Sequence, residues 1–132
     1  MVHALRRAHD LVKASGWVID LHPTEDPAVI LVGDAFAGGV DTGGAKGRHR
    51  AATNAIAAAA REGLFAIEDS AEFDFYAYAD SIEELQQHIV DDWREARIGD
   101  ATMAAARRLL RGAPGVQPRV RERIVITRLR PG

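Results

Sequence analysis

The sequence contains no cysteine, so disulfides, thiolate metal sites and cysteine nucleophiles are excluded together. No apolar run approaches the roughly 18–20 residues that a membrane-spanning helix needs. Met1 leads into a polar amphipathic segment instead of the apolar core of a signal peptide. The expectation is a cytoplasmic protein with no membrane partner. Ser15, Ser70 and Ser81 lack the Gly-x-Ser-x-Gly setting of a strained nucleophile turn, which argues against serine hydrolysis. No two histidines stand in metal-ligand spacing, and no metal site is expected. What remains is the composition of an ordinary globular chain, 47% hydrophobic and 27% charged over 132 residues. That length reads as a single domain, 1–132, able to bury a core without covalent staples.

Charge is unevenly placed. Residues 1–100 carry 9 Lys/Arg against 18 Asp/Glu, a net −9, whereas residues 101–132 carry 8 Arg and the single acid Glu122, a net +7. A basic segment of this kind either lines a phosphate-binding groove or folds back on the acidic part of its own chain. The sequence pI of about 6.2 and the absence of aromatics interleaved with the arginines favour the second. Nucleic acid is therefore not expected as the partner.

Apolar periodicity predicts a helix over residues 2–15 with Gly16 in the place of a left-handed cap, then a strand at 17–22 closed by Pro23. Residues 28–32 and 35–37 flank Gly33-Asp34 and predict a β-hairpin with a tight primed turn. A glycine-rich loop leads to an Ala-rich helix from about Arg48 to Glu62, whose stripe of Ala52, Ala55, Ile56 and Ala59 allows a sheet to approach closely. Residues 64–79 alternate with period two. Ser81 and Glu84 form a capping box for a helix with Ile82, Leu85, Ile89 and Trp93 inward. Gly99 breaks this helix and Asp100 caps the next, which runs to Gly112. The last strand, 120–129, holds Ile124-Val125-Ile126, a β-branched run suited to the middle of a sheet covered on both faces. The fold class expected is α/β or α+β: a mixed β-sheet with a β-hairpin, about four flanking helices, and a central antiparallel C-terminal strand.

Two stretches carry a resemblance. Leu5 to Val12 followed by Lys13-Ala14-Ser15-Gly16-Trp17-Val18-Ile19-Asp20, and Phe73 to Leu85 with Ser81-Ile82-Glu83-Glu84-Leu85, resemble in layout the C-terminal half of a class I S-adenosylmethionine-dependent methyltransferase. The resemblance implies that strand 121–130 slots between strands 17–22 and 64–79. It also implies a chain that begins downstream of the family's cofactor-binding glycine turn and acidic residue. No Gly-x-Gly-x-Gly follows any strand, so no cofactor and no cofactor-binding residue are carried over. A separately encoded partner supplying the other half is one expectation from this layout.

The same layout leaves strand 17–22 with an apolar edge, which the hairpin or a second copy of the chain would cover. The leading expectation is thus a non-catalytic, homo-oligomeric interaction module, most simply a dimer. The alternative is an enzyme fragment or small-molecule binder with a pocket at the end of strand 17–22. There His22 would converge with Tyr78, Asp80 and His49, as ligands in open α/β sheets gather at strand ends. The competing view of these four is structural, with His22 closing a strand and the tyrosines packing on helix 81–97. The loop from Gly38 to Gly47 fails the phosphate-loop pattern, since Ala45 stands where Lys is needed, and keeps only a weak anion site at Lys46 and Arg48. Glu68, Asp69, Glu72 and Asp74 are expected to be solvated or paired with the C-terminal arginines.

Overall fold

A computed structural model describes residues 2–42, 46–93 and 95–132. The elements in order are α1 (Val2–Leu11), β1 (Val18–Pro23), β2 (Val29–Val32), β3 (Ala35–Asp41), α2 (Lys46–Arg61), β4 (Phe65–Tyr78), α3 (Ile82–Asp92), β5 (Arg97–Ile98), α4 (Asp100–Arg111) and β6 (Pro118–Pro131). Among the described residues, four helices and a six-stranded, mostly antiparallel sheet make this an α+β fold. The chain divides into two compact units, each built from separate segments: Met1–Glu25, Gly47–Phe73 and Ile124–Gly132 in the first, Asp26–Lys46 and Asp74–Arg123 in the second. The two 14-residue strands β4 and β6 each contribute to both.

In the first unit β6 is flanked on both sides. It pairs antiparallel with β1, Val18 opposite Leu129 through Pro23 opposite Ile124. On its other side lies β4, whose start is tied to the end of β6 by the Gly132 N–H donating to the Leu64 carbonyl. The expected slot between 17–22 and 64–79 is the one β6 fills. Leu5 of α1, Ala55, Ile56 and Ala59 of α2, Phe65 and Leu129 form the core, with Val18 packed against it. The thin alanine stripe is buried as its spacing predicts, Ala59 to 1% exposure. Both helices pack on the face of the ladder that carries Val18 and Leu129. Side chains alternate along a strand, so Ile19, Leu21 and Ile126 point to the other face. The Ile124-Val125-Ile126 run is covered only in part: Ile124 is buried, while Val125 on the helix face and Ile126 on the other face are half-buried. The first helix also ends early, at Leu11 rather than residue 15. Gly16 is not left-handed, its N–H donating instead to the Lys13 carbonyl in a short turn. The left-handed cap is at Gly63, φ +78°, where the absent Cβ makes the turn out of α2 inexpensive.

In the second unit β2 and β3 form the expected hairpin, with Gly33 at φ +59° in its turn. Leu31 pairs with Phe36 and Ile30 with Gly38, so Ala37 is an extra, bulged residue. β2 pairs antiparallel with β6 over Arg121 to Pro118. The core joins Ile30, Val32, Val40, Ile82, Leu85, Ile89, Ile98, Met103, Ala106 and Val120. Ser81 caps α3 as its sequence predicts, accepting from the Glu84 N–H at 3.1 Å, while Glu84 reaches back to the Asp80 N–H. Two expectations for this region are corrected. Helix α3 stops at Asp92 with Trp93 as its C-cap, leaving room for the two-residue strand β5. Gly99, not Asp100, is the N-cap of α4, and Asp100 is the first helical residue.

β5 is short because β3 supplies one edge and a side chain supplies the other. Gln86 Nε2 donates to the Ile98 carbonyl at 2.9 Å and Gln86 Oε1 accepts from the Ile98 N–H at 2.7 Å, as a neighbouring strand would. Gln86→Leu removes both bonds beside a fully buried Ile98. It is expected to cost about 1–3 kcal/mol in denaturant unfolding, the penalty of buried backbone groups left unpaired. A loss no larger than that of an exposed-site control substitution would remove this role.

Glu122 of β6 is a second internal constraint. Burial pushes its carboxyl above the usual carboxylate range. A raised folded-state pKa means that the native state binds this proton more tightly than the unfolded chain. The resulting stabilisation is complete below the unfolded value of about 4.3 and is lost as pH rises through the folded value. Glu122→Gln is therefore expected to stabilise the protein at neutral pH, with the gain shrinking towards pH ~4 in paired unfolding curves. A gain equal at both pH values would contradict it.

Candidate functional site: an Asp–His–Thr relay at a polar cleft

The period of a β-strand places Asp20 and His22 of β1 on one face, the face covered by α2. His22 stands directly before Pro23, a residue that fixes extended backbone before it and cannot donate further along the ladder. Asp20 is thereby brought alongside the imidazole: Asp20 Oδ2 meets His22 Nδ1 in a short contact, each side chain only 10% exposed. The other ring nitrogen, Nε2, lies 3.2 Å from Thr53 Oγ1 on α2. With the ring neutral and Nδ1 donating to the Asp20 carboxylate, Nε2 offers a lone pair to the threonine hydroxyl. Carboxylate, imidazole and hydroxyl then form a directed chain that fixes the ring and aims its second nitrogen at a hydroxyl.

The alanine stripe of α2 sets this distance. A helix packed on a sheet through Ala52, Ala55 and Ala59 sits close enough for a short Thr side chain to reach His22. The relay opens on a cleft of about 470 Å³ lined by His22, Pro23, Thr24, Glu25, Arg50, Thr53, Asn54, Glu72 and Val125. Arg50 lies one helical turn before Thr53 on α2, and its Nε donates to Glu25 Oε1 at 3.1 Å. Seven of the nine lining residues are polar or charged, and all nine belong to the first unit. Among the described residues no three His, Asp or Glu side chains form a metal-type cluster.

The four residues singled out in the sequence have different surroundings. His22 is 9% exposed and is the centre of the relay. The side chain of His49, like those of Lys46 and Arg48, lies outside the described residues, as do Gly43 and Gly44. Tyr78 and Asp80 belong to the second unit, where each has its own partners. The Tyr78 hydroxyl accepts from Arg119 at 3.3 Å, and Asp80 Oδ1 accepts from Gln117 at 2.9 Å. Arg119 also lies over the Tyr76 ring, 4.4 Å from its centroid, and donates to Asp34. The hydrogen bond to Tyr78 holds its guanidinium pKa above the ordinary value. Asp20, Thr53 and Arg50 escaped the sequence reading. An i, i+2 Asp–His pair on a strand was a visible signal for Asp20. Thr53 carries no such mark, because nothing local tells which turn of α2 faces β1.

The C-terminal arginines do fold back on the chain's own acids. Arg107 pairs with Glu83, Arg119 with Asp34, Arg123 with Asp74, and Arg128 and Arg130 both with Glu68. Glu68 and Asp74 of β4 accordingly serve as counter-ions.

Comparison with known proteins adds no assignment: no family model, no curated protein and no solved structure matches the chain.

The tautomer is open to direct measurement. Two-bond proton–nitrogen NMR of the imidazoles is expected to show His22 protonated at Nδ1 in its neutral form, with this preference lost in Asp20→Ala. A neutral His22 protonated at Nε2 would reverse the direction of the chain and remove its basic end.

Proposed function

We propose that the chain is a small-molecule-binding domain whose cleft beside His22 takes a small polar ligand and exchanges a proton with it. The observation that carries this reading is the Asp20–His22–Thr53 chain: a nearly buried imidazole, fixed by a carboxylate on one side, with its other nitrogen directed at a hydroxyl. In a core, a histidine with one partner would suffice for burial. Two aligned partners at the wall of a 470 Å³ cleft match instead the geometry of a general base. A cleft of this size falls within the ~300–1,000 Å³ range of small-ligand sites. Arg50, Asn54, Glu25 and Glu72 on its wall favour a ligand with several hydrogen-bonding groups over an apolar one. His22 Nε2 would receive the proton of a ligand hydroxyl or of water, and the Asp20 carboxylate would stabilise the imidazolium that forms. Of the expectations raised by the sequence, this is the strand-end binder, with Asp20, Thr53 and Arg50 beside His22.

The test is a thermal-shift screen of polar metabolites, S-adenosylmethionine among them, against the wild type and two variants. Compounds that raise the melting temperature of the wild type are expected to lose that effect in His22→Ala and to retain part of it in Thr53→Val, which keeps the shape of the side chain. A ligand-induced shift of about 4–8 °C per kcal/mol is within reach for a chain of this size. If every compound that stabilises the wild type stabilises His22→Ala equally, the cleft has no binding role.

A further inference from the structure

One turn of α2 supplies most of the hydrogen-bond donors of the cleft. Arg50, Thr53 and Asn54 stand at positions i, i+3 and i+4 of the helix, which puts them on one face, and all three line the wall beside His22. Arg50 is held side-on: its Nε donates to Glu25 Oε1 at 3.1 Å, an attachment that leaves the two terminal nitrogens of the guanidinium unused. Among the described residues neither of those nitrogens has a partner. The carboxylates on the same wall are committed, Glu25 to Arg50 and Glu72 to a partner of its own. The open charge that the described wall presents is therefore the outer fork of one arginine.

We propose that the ligand of this cleft carries an anionic group, a carboxylate or a phosphate monoester, which the terminal nitrogens of Arg50 hold while a hydroxyl of the same molecule meets His22 Nε2. The inference rests on the binding role proposed for the cleft and names the class of ligand. A guanidinium tied through Nε still presents two N–H groups side by side, the fork that matches two oxygens of a carboxylate or phosphate. Its tie to Glu25 lowers the entropy that a long side chain gives up on binding. The spacing also fits. Helix positions three apart have Cβ atoms roughly 5–6 Å from each other, and Thr53 Oγ1 is 3.2 Å from His22 Nε2. A short hydroxy acid or hydroxyalkyl phosphate spans a separation of this order. A cationic ligand fits less well, because it would have to take Glu25 from Arg50 and then lie beside the released guanidinium, like charge against like. The Arg50 side chain is 72% exposed, so water screens the contact and the expected preference is modest.

NMR titration of the His22 ring resonances in the full chain tests this with compounds that share a diol and differ in charge: glycerate, glycerol 3-phosphate, neutral glycerol and cationic 3-amino-1,2-propanediol. The wild type is expected to bind at least one of the two anions about tenfold more tightly than glycerol, and the amine no better than glycerol. Tighter binding of glycerate assigns the anion as a carboxylate; tighter binding of glycerol 3-phosphate assigns it as a phosphate. Arg50→Gln is expected to reduce the affinity for the anion to that for glycerol, with an unchanged far-ultraviolet spectrum. Arg50→Lys keeps the charge without the fork and is expected to recover part of the preference. Glycerol or the amine binding as tightly as both anions overturns the inference, as does an anion preference that survives Arg50→Gln; in either case His22 still responds and the binding role of the cleft stands. If none of the four compounds moves the His22 resonances the inference also fails, and the binding role is then decided separately by the metabolite screen against His22→Ala.

Discussion

The hydrogen-bonding demand of one strand organises the molecule. Every interior residue of β6 presents an N–H and a carbonyl that must be paired if they are removed from water. In the first unit they are met by β1 on one side and β4 on the other; in the second, β2 pairs Arg121 to Pro118, and the Pro118 carbonyl accepts from the Ala79 N–H. A strand with partners on both sides fixes the register of each neighbour. Register in turn decides which residues of β1 look towards α2. A slip of one position would turn Asp20 and His22 to the open face and bury Ile19 and Leu21, exchanging a polar site for an ordinary core. The relay therefore depends on a ladder in which neither Asp20 nor His22 takes part through its side chain.

The charge split follows from the same arrangement. An acidic first part and a basic last segment look, in the linear sequence, like the mark of a phosphate-binding tail. In the folded chain the arginines of β6 stand next to the carboxylates of the strands that pair with it. Glu68 holds both Arg128 and Arg130, and Asp74 holds Arg123. Most of these pairs are exposed and contribute little energy individually. Their effect is to neutralise neighbours across the ladder, since opposite charges on adjacent strands favour pairing and like charges oppose it. Glu122 is the exception on β6: it is turned inward beside buried Val120 and raised in pKa by burial.

Much of this fold is legible in the sequence, and the parts that are not share a cause. Period-two and helical spacing locate nearly every element. The capping box at Ser81 and Glu84 and the turn at Gly33 are local chemistry that the sequence states outright. The misreadings concern features decided at a distance. The two-residue β5 has no pattern of its own and exists because β3 and the Gln86 side chain complete its hydrogen bonds. The Ile124-Val125-Ile126 run reads as covered on both faces because residue type reports burial without saying which layer is missing. Asp20 was visible as an alternation partner of His22, but Thr53 is selected only by the rotation of α2 about its axis.

That rotation is where packing and chemistry meet. α2 has few large apolar side chains, and a helix with so thin a stripe gains little from burial unless it lies close to the sheet. Ala52, Ala55 and Ala59 allow that approach, and the approach brings Thr53 within 3.2 Å of His22. A leucine stripe would bury more area and hold the helix more firmly, yet it would set the two layers farther apart and take the hydroxyl out of reach. The composition of α2 thus exchanges packing energy for proximity. An arrangement that buries an Asp–His pair, spends a helix on short side chains and leaves a polar cleft at the junction is costly as structure alone, and becomes economical if the imidazole has a proton to move.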